Sequence, residues 1–188
     1  VSYFWTQDEM IEMIEDAYDR TGNATYKNQI TALLNGFTAD NGTSWSGNIY
    51  NDDVTWACLA YLRGYQITGN THYLTLAANN WNAVYNRGWD NVDGGGIWEN
   101  QDKYSKCALS NDPFTIAGVW LYQATKDTNY LTKSQAAYSW VWNSIVNHTS
   151  SSNSLGAPGQ VNEGLTNTGA LQWSDNVYNS GSFLEAGN

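Results

Sequence analysis

The chain has 188 residues, which is enough for one domain with a sizeable core. Its formal net charge of −10 argues against binding to nucleic acid, whose phosphates attract Lys and Arg, and against binding to an anionic membrane surface. No apolar run approaches the length of a transmembrane span, so membrane insertion is not expected. Ten Trp and thirteen Tyr are more than such a core needs. Aromatic faces in this number predict either a groove that stacks on sugar rings or an obligate protein interface.

A short motif occurs three times: Tyr, then Thr, then Asn or Asp, and a second Tyr eight residues after the first. The copies are Tyr18–Tyr26, Tyr65–Tyr73 and Tyr122–Tyr130. Each is typical of an αα-hairpin turn, in which Gly22 or Gly69 takes the left-handed conformation and the next polar residue caps the following helix. Lys126 replaces glycine in the third copy, so that turn must close differently or carry strain. Repeated helical hairpins predict a solenoid or a closed α/α toroid.

The spacing of apolar residues predicts an all-α chain with about six helices and the start of a seventh. Thr6 and Glu9 form a capping-box pattern before the first helix. The fifth helix is expected to be interrupted near Asp112-Pro113, because proline can open a helix. The predicted ranges are about Gln7 to Arg20, Thr25 to Leu34, Asp53 to Thr68, His72 to Tyr85, Lys106 to Ala124 and Asn129 to Val146, with the seventh helix starting within Tyr178–Ala186.

Two adjacent carboxylates, Asp52 and Asp53, precede the apolar run Val54–Leu62. Like charges this close resist ionising together, so the pKa of one rises relative to the other. One residue type can then supply both an acid and a base or nucleophile. The alternative is structural: Asp52 is an N-cap and Asp53 an ordinary acid in the first turn.

The longest irregular segment among the predicted helices is Gly88–Ser105, which contains three successive glycines followed by Ile97 and Trp98. Loops of this length usually carry function or are disordered. The glycines permit close approach of the backbone to a ligand, and Trp98 is then a candidate platform for a sugar ring. The alternative is a short β-hairpin that packs Trp98 into the core.

Three sequons begin at Asn23, Asn41 and Asn147 and predict N-glycosylated surface loops. Together with the low lysine content, they favour an extracellular protein. Two cysteines, Cys58 and Cys107, allow at most one internal disulfide, and the sequence leaves open whether they meet.

Several motifs occur in a fixed order along nearly the whole chain: Tyr50-Asn-Asp52-Asp53 with Trp56-Ala57, Leu62-Arg63-Gly64-Tyr65, Gly94-Gly95-Gly96-Ile97-Trp98, Tyr104-Ser-Lys106 with Ser110-Asn111, and Tyr178-Asn179-Ser-Gly181. Their order and spacing resemble family 76 of the glycoside hydrolases, the α-1,6-mannanases and related fungal cell-wall mannosyl transglycosidases. Asn51 and Glu99 depart from residues that are frequent in that family.

The resemblance implies an (α/α)6 toroid, incomplete in this chain. Residues 1–188 would then be a single catalytic-type domain truncated at its C-terminus. The implied activity is that of an extracellular glycosidase or transglycosidase on α-1,6-mannan, with a retaining mechanism in which Asp52 is the nucleophile and Asp53 the acid/base. No cofactor or metal is expected. The expected substrate-binding residues are Tyr50, Gly95, Gly96, Trp98, Tyr104 and Asn179.

Two other functions remain open at this point. One is a carbohydrate-binding protein that kept the fold without turnover, which the aromatic content favours. The other is a structural protein in which the open edge of a half-toroid associates with another copy of the chain. The partner is a mannan-type glycan in the first case and the chain itself in the second.

Overall fold

Helices dominate the chain in the computed structural model, which describes residues 3–188. Within that range there are seven α-helices: α1 Phe4–Thr21, α2 Ala24–Asn41, α3 Asn51–Thr68, α4 Thr71–Gly88, α5 Ala108–Thr125, α6 Thr128–Ile145 and α7 Val177–Ala186. Three short strands accompany them: β1 Ser105–Cys107, β2 Gly164–Thr166 and β3 Leu171–Gln172. They form one antiparallel sheet in the order β1-β2-β3.

The helices lie in two layers. The inner layer contains α1, α3, α5 and α7 side by side, and α2, α4 and α6 form the outer layer, which packs behind it. In α3 and α5 most residues are buried, since apolar or small side chains occupy nearly every face. A continuous core runs between the layers, from Ile11 on α1 to Ala137 on α6. The prediction of an all-α chain made of αα-hairpins is confirmed.

The three copies of the sequence motif form the three hairpin turns. Gly22, Gly69 and Lys126 end α1, α3 and α5 in the left-handed conformation, with φ of 63°, 78° and 62°. In each turn, the following Asn or Asp side chain accepts a hydrogen bond from the backbone of the next helix. Lys126 therefore closes its turn as the glycines do, at the cost of a conformation that side chains disfavour.

Several predicted helix limits are wrong. The first helix begins at Phe4, and the Thr6 hydroxyl donates to the carbonyl of Tyr3 instead of capping the helix. The second helix continues past Leu34 because Phe37 is buried against the core. The fifth helix is not interrupted: Pro113 lies near its start, where proline removes only one helical hydrogen bond.

Candidate active site

A cleft of about 650 Å³ opens where the first turns of α1, α3 and α5 meet α7. Four lining residues are acidic and three are aromatic, and none of the lining residues is Lys or Arg. The acidic side chains accept hydrogen bonds and the aromatic rings offer apolar faces, which suits a neutral, hydroxyl-rich ligand. The lining residues are Trp5, Glu9, Asp52, Asp53, Trp56, Leu109, Tyr178, Gly181, Ser182 and Glu185.

Asp52 and Asp53 both line this cleft, in the first turn of α3, but their surroundings differ. Burial, together with the neighbouring charges of Asp53 and Glu99, raises the pKa of Asp52 to about 7. Burial also raises the pKa of Asp53, but Asn48 opposes that rise by donating from Nδ2 to Oδ2 over 2.9 Å. Adjacent carboxyls with unequal surroundings are what paired acid and base chemistry requires.

The residue that precedes α3 is Tyr50, so neither aspartate is the N-cap. Tyr50 makes no capping hydrogen bond with its side chain. The backbone N–H of Asn51, the first residue of the helix, instead donates to the carbonyl of Glu99 over 2.7 Å. The interpretation of Asp52 as a structural N-cap is therefore wrong, and both carboxyls face the cleft without capping the helix.

Trp98 lies inside the protein, with 3% of its surface exposed. Its indole N–H donates to Oδ2 of Asp90 over 2.6 Å, and the Lys106 ammonium lies 4.6 Å from its ring centroid. The expectation of a sugar platform at Trp98 is wrong, because no face of the ring is open. Gly95 and Gly96 are buried as well, and a Cβ on Gly96 would lie 2.6 Å from the ring of Trp140. These two glycines allow close packing and do not line the cleft.

The other expected substrate-binding residues also lie away from the cleft lining. Tyr50 and Tyr104 are 43% and 60% exposed. Asn179 is fully buried, and its Nδ2 donates to Oε2 of Glu163 over 3.2 Å, which anchors the start of α7. Instead of these residues, the cleft contains aromatic and hydroxyl side chains that sequence reasoning missed: Trp5, Trp56, Tyr178 and Ser182. All four residues lie in the first two turns of α1, α3 or α7, and this position is the sequence signal that could have identified them.

The three sequons have different surroundings. Asn23 is exposed at the first hairpin turn, whereas the amide of Asn41 donates to Gln7 Oε1 over 2.8 Å and is partly buried. Asn147 is fully buried, and its Nδ2 donates to the carbonyls of Ser151 and Gly156. The expectation of a glycan at Asn147 is wrong for the folded chain, because that amide is inaccessible.

Cys58 and Cys107 are both buried, and they are not bonded to each other. Burial raises the pKa of both thiols. Across residues 3–188, no group of three or more His, Cys, Asp or Glu side chains is placed to hold a metal ion. In the same range, no helix combines the length and hydropathy needed to cross a membrane.

Comparison with solved structures gives several close matches. The Lin0763 protein from Listeria innocua is 26% identical, with a TM-score of 0.85 over 99% of this chain and 52% of its own. The α-1,6-mannanase GH76A from Salegentibacter sp. HEL1_6 is 28% identical, with a TM-score of 0.84 over 99% of this chain and 54% of its own. The α-mannanase BT2949 from Bacteroides thetaiotaomicron is 17% identical and shares the fold, with a TM-score of 0.83 over 99% and 54% of the two chains.

The chain thus spans about half the length of the solved structures it matches. Its seven described helices correspond to part of an α/α toroid, as expected from the repeats. No protein with a curated description matches it. The model of glycosyl hydrolase family 76 matches residues 1–187, nearly the whole chain. This chain therefore belongs to glycosyl hydrolase family 76.

Proposed function

We propose that this chain supplies the reacting carboxyls of an extracellular glycosidase or transglycosidase that acts on α-1,6-linked mannan. The observation that carries the proposal is the adjacent pair Asp52 and Asp53 in an acidic, aromatic-lined cleft. A similar protein, the Salegentibacter mannanase, supports it: an inactive variant with two successive aspartates replaced by asparagine was solved with α-1,6-mannotriose. The exposed sequon at Asn23 is consistent with an extracellular location.

The proposed mechanism is double displacement with retention of configuration. The ionised carboxyl of Asp52 attacks the anomeric carbon as the glycosidic C–O bond breaks, and Asp53 gives its proton to the leaving oxygen. Asp53 then takes a proton from water or from a sugar hydroxyl, whose oxygen displaces Asp52 from the anomeric carbon. The charge of Asp53 adds to the rise in the pKa of Asp52, so the two carboxyls can hold one proton between them near neutral pH. The larger rise at Asp52 places that proton on Asp52 in the free cleft, so the assigned roles require it to pass to Asp53 when the sugar binds. Trp5, Trp56 and Tyr178 would stack on the sugar rings.

The roles of the two acids are tested with Asp52→Asn and Asp53→Asn in the full-length protein. On mannan, both changes should lower kcat by about 10²–10⁴-fold or more. Asp52→Asn removes the proposed nucleophile, and Asp53→Asn removes the proposed acid/base. On a dinitrophenyl α-mannoside, whose leaving group needs no proton, Asp53→Asn should still form the glycosyl-enzyme, and added azide should restore turnover. Asp52→Asn should stay inactive under both conditions.

Asp102→Asn serves as the control, because Asp102 is exposed in the loop that follows Trp98. It should keep the parent activity. Azide rescue of Asp52→Asn instead of Asp53→Asn would reverse the two roles. Wild-type activity on mannan in either variant would contradict the proposal.

A second candidate is a glycan-binding protein without turnover, which the aromatic rings of the cleft favour. Calorimetry with α-1,6-mannotriose, paired with an assay for released reducing sugar, separates the two. Binding without any release of reducing sugar would favour this second candidate over the enzyme.

A further inference from the structure

The residues Ile97, Trp98 and Glu99, which we name the bridging segment, pass along the start of α3. Asn51 makes two hydrogen bonds to this segment. Its backbone N–H donates to the carbonyl of Glu99 over 2.7 Å, and its side-chain Nδ2 donates to the carbonyl of Trp98 over 2.6 Å. Asn51 directly precedes the two aspartates, so its attachment constrains the backbone that carries them.

The same segment is bonded to the start of α5. The backbone N–H of Ile97 donates to Oδ1 of Asn111 over 2.7 Å. The carbonyl of Ile97 accepts from the Ser110 hydroxyl over 3.0 Å. Both α5 side chains are fully buried. The bridging segment therefore ties together the starts of α3 and α5, which gives the Gly-Ile-Trp and Ser-Asn motifs a structural role outside the cleft lining.

The side chain of Asn51 is itself fully buried and held from a third direction. Arg87, in the last turn of α4, donates from Nε to Oδ1 of Asn51 over 2.7 Å. The next residue is Gly88, where a Cβ would lie 2.8 Å from Nδ2 of Asn51. The oxygen and the nitrogen of the amide thus each have a partner, and a flipped amide would set its NH2 group against the Nε–H donor of Arg87.

We propose that Asn51 is a positioning residue that fixes Asp52 and Asp53 in the cleft by holding the first turn of α3 between Arg87 and the bridging segment. A rotation of the backbone at Asn51 moves both carboxyls, and small misplacements of reacting groups lower rates steeply. The inference rests on the proposed function, because the geometry of Asp52 and Asp53 matters only if the two carboxyls take part in a reaction.

The test is Asn51→Ala in the full-length protein, with α-1,6-mannotriose as substrate. We expect kcat to fall at least about tenfold while KM changes by less than about threefold, because the sugar-stacking rings lie elsewhere in the cleft. The matched control is Asn80→Ala. Asn80 is also a buried, hydrogen-bonded asparagine. Its Oδ1 accepts from the backbone N–H of Trp45 over 2.9 Å, and its Nδ2 donates to the carbonyl of Leu76. It lies on α4, away from the cleft lining, so its loss should lower Tm without lowering kcat.

A second measurement does not need turnover. In the wild-type protein and both variants, the carboxyl groups of Asp52 and Asp53 are titrated by carbon NMR. Asn51→Ala should move these titrations, and Asn80→Ala should leave them in place. If the wild-type protein hydrolyses no mannan, the proposed function fails while this titration still tests the positioning role.

Arg87→Ala covers the case in which Asn51→Ala does not fold. Arg87 is only partly buried, so its removal should leave the fold intact while freeing one side of the Asn51 amide. It should shift the titration in the same direction as Asn51→Ala and reduce kcat less. Equal effects of Asn51→Ala and Asn80→Ala on kcat and titration would overturn the proposal. Unchanged titration and kcat in Arg87→Ala, if that is the only folded variant of the site, would overturn it as well.

Discussion

Two acidic side chains on α1, Asp8 and Glu15, are buried, and α1 packs against α3. Neither carboxyl makes a hydrogen bond within the described residues. Burial raises the pKa of Asp8 well above its ordinary value and that of Glu15 to about 9. Arg63 opposes the rise at Glu15, but its Nε lies 4.0 Å from Oε2, and its Nη2 donates to Asp16 and Asp19 over 2.7 Å each. Burial therefore favours the protonated form of both acids in the folded chain.

The pH dependence of stability follows from the direction of this shift. The ordinary pKa of Glu15 is 4.5 and its folded value is about 9, so between these pH values the folded chain binds more protons than the unfolded chain. The contribution of Glu15 to the free energy of unfolding should therefore be largest at and below pH 4.5 and should fall as the pH rises toward 9. Glu15→Gln cannot ionise and should raise the free energy of unfolding at pH 8 by about 1–3 kcal/mol.

Urea denaturation of the wild type and Glu15→Gln at pH 5 and pH 8 measures this effect. The two proteins should differ at pH 8 and converge at pH 5. Asp40→Asn, at an exposed position on α2, is the control and should not flatten the pH dependence. Parallel pH profiles for the wild type and Glu15→Gln would show that Glu15 is ionised in the folded chain.

At the scale of elements, the hairpin turns share one construction. In each, the last helical residue is Thr21, Thr68 or Thr125, and its hydroxyl accepts the backbone N–H two residues later. The residue between them takes the left-handed conformation, which is unstrained for Gly22 and Gly69. Lys126 has φ of 62° in the same place, so the third turn stores backbone strain.

Lys126→Gly should therefore raise the free energy of unfolding by about 0.5–1 kcal/mol, because relief of the left-handed strain exceeds the added entropy of the unfolded chain. The comparison variant is Gly69→Ala, which introduces the strain that Lys126→Gly removes. It should lower stability by a similar amount. Chemical denaturation of both variants measures the effect, and destabilisation by Lys126→Gly would show that the lysine side chain stabilises the turn through its contacts.

At the scale of the molecule, the inner layer has two edges, α1 and α7. Large apolar side chains are exposed on both: Met13 is 59% exposed on α1, and Val177 and Leu184 are 84% and 73% exposed on α7. The solved structures it matches are about twice as long as this chain. Nearly half of each of those structures lies outside the match, and in this chain these side chains face solvent.

The 188-residue chain produced by itself should therefore self-associate, since association removes apolar surface from water. Sedimentation velocity across a range of protein concentrations should show species larger than the monomer. Met13→Glu combined with Leu184→Glu should shift the distribution toward monomer, and Thr75→Glu, an exposed position on α4, should not. A single monomeric species at every concentration would contradict self-association through these edges.

The helical hairpins, their three turns and the place of the aspartate pair at a helix start can all be predicted from the amino-acid sequence. These features depend on local chemistry: apolar spacing fixes which face of a helix is buried, and a left-handed residue followed by Asn or Asp fixes a turn. The order of the motifs along the chain was enough to reach the family. Helix limits were less predictable, because burial of Phe37 extends α2 beyond its last strong local signal.

Which side chains face the cleft depends on the tertiary structure. Trp98 and Asn179 resemble ligand-binding residues in sequence, yet Asp90 and Glu163 hold them inside the protein. Asn147 matches a sequon, but its buried amide donates hydrogen bonds to the backbone carbonyls of Ser151 and Gly156. Each outcome depends on hydrogen bonds and packing that folding brings to a side chain, and the residue type alone does not reveal these partners.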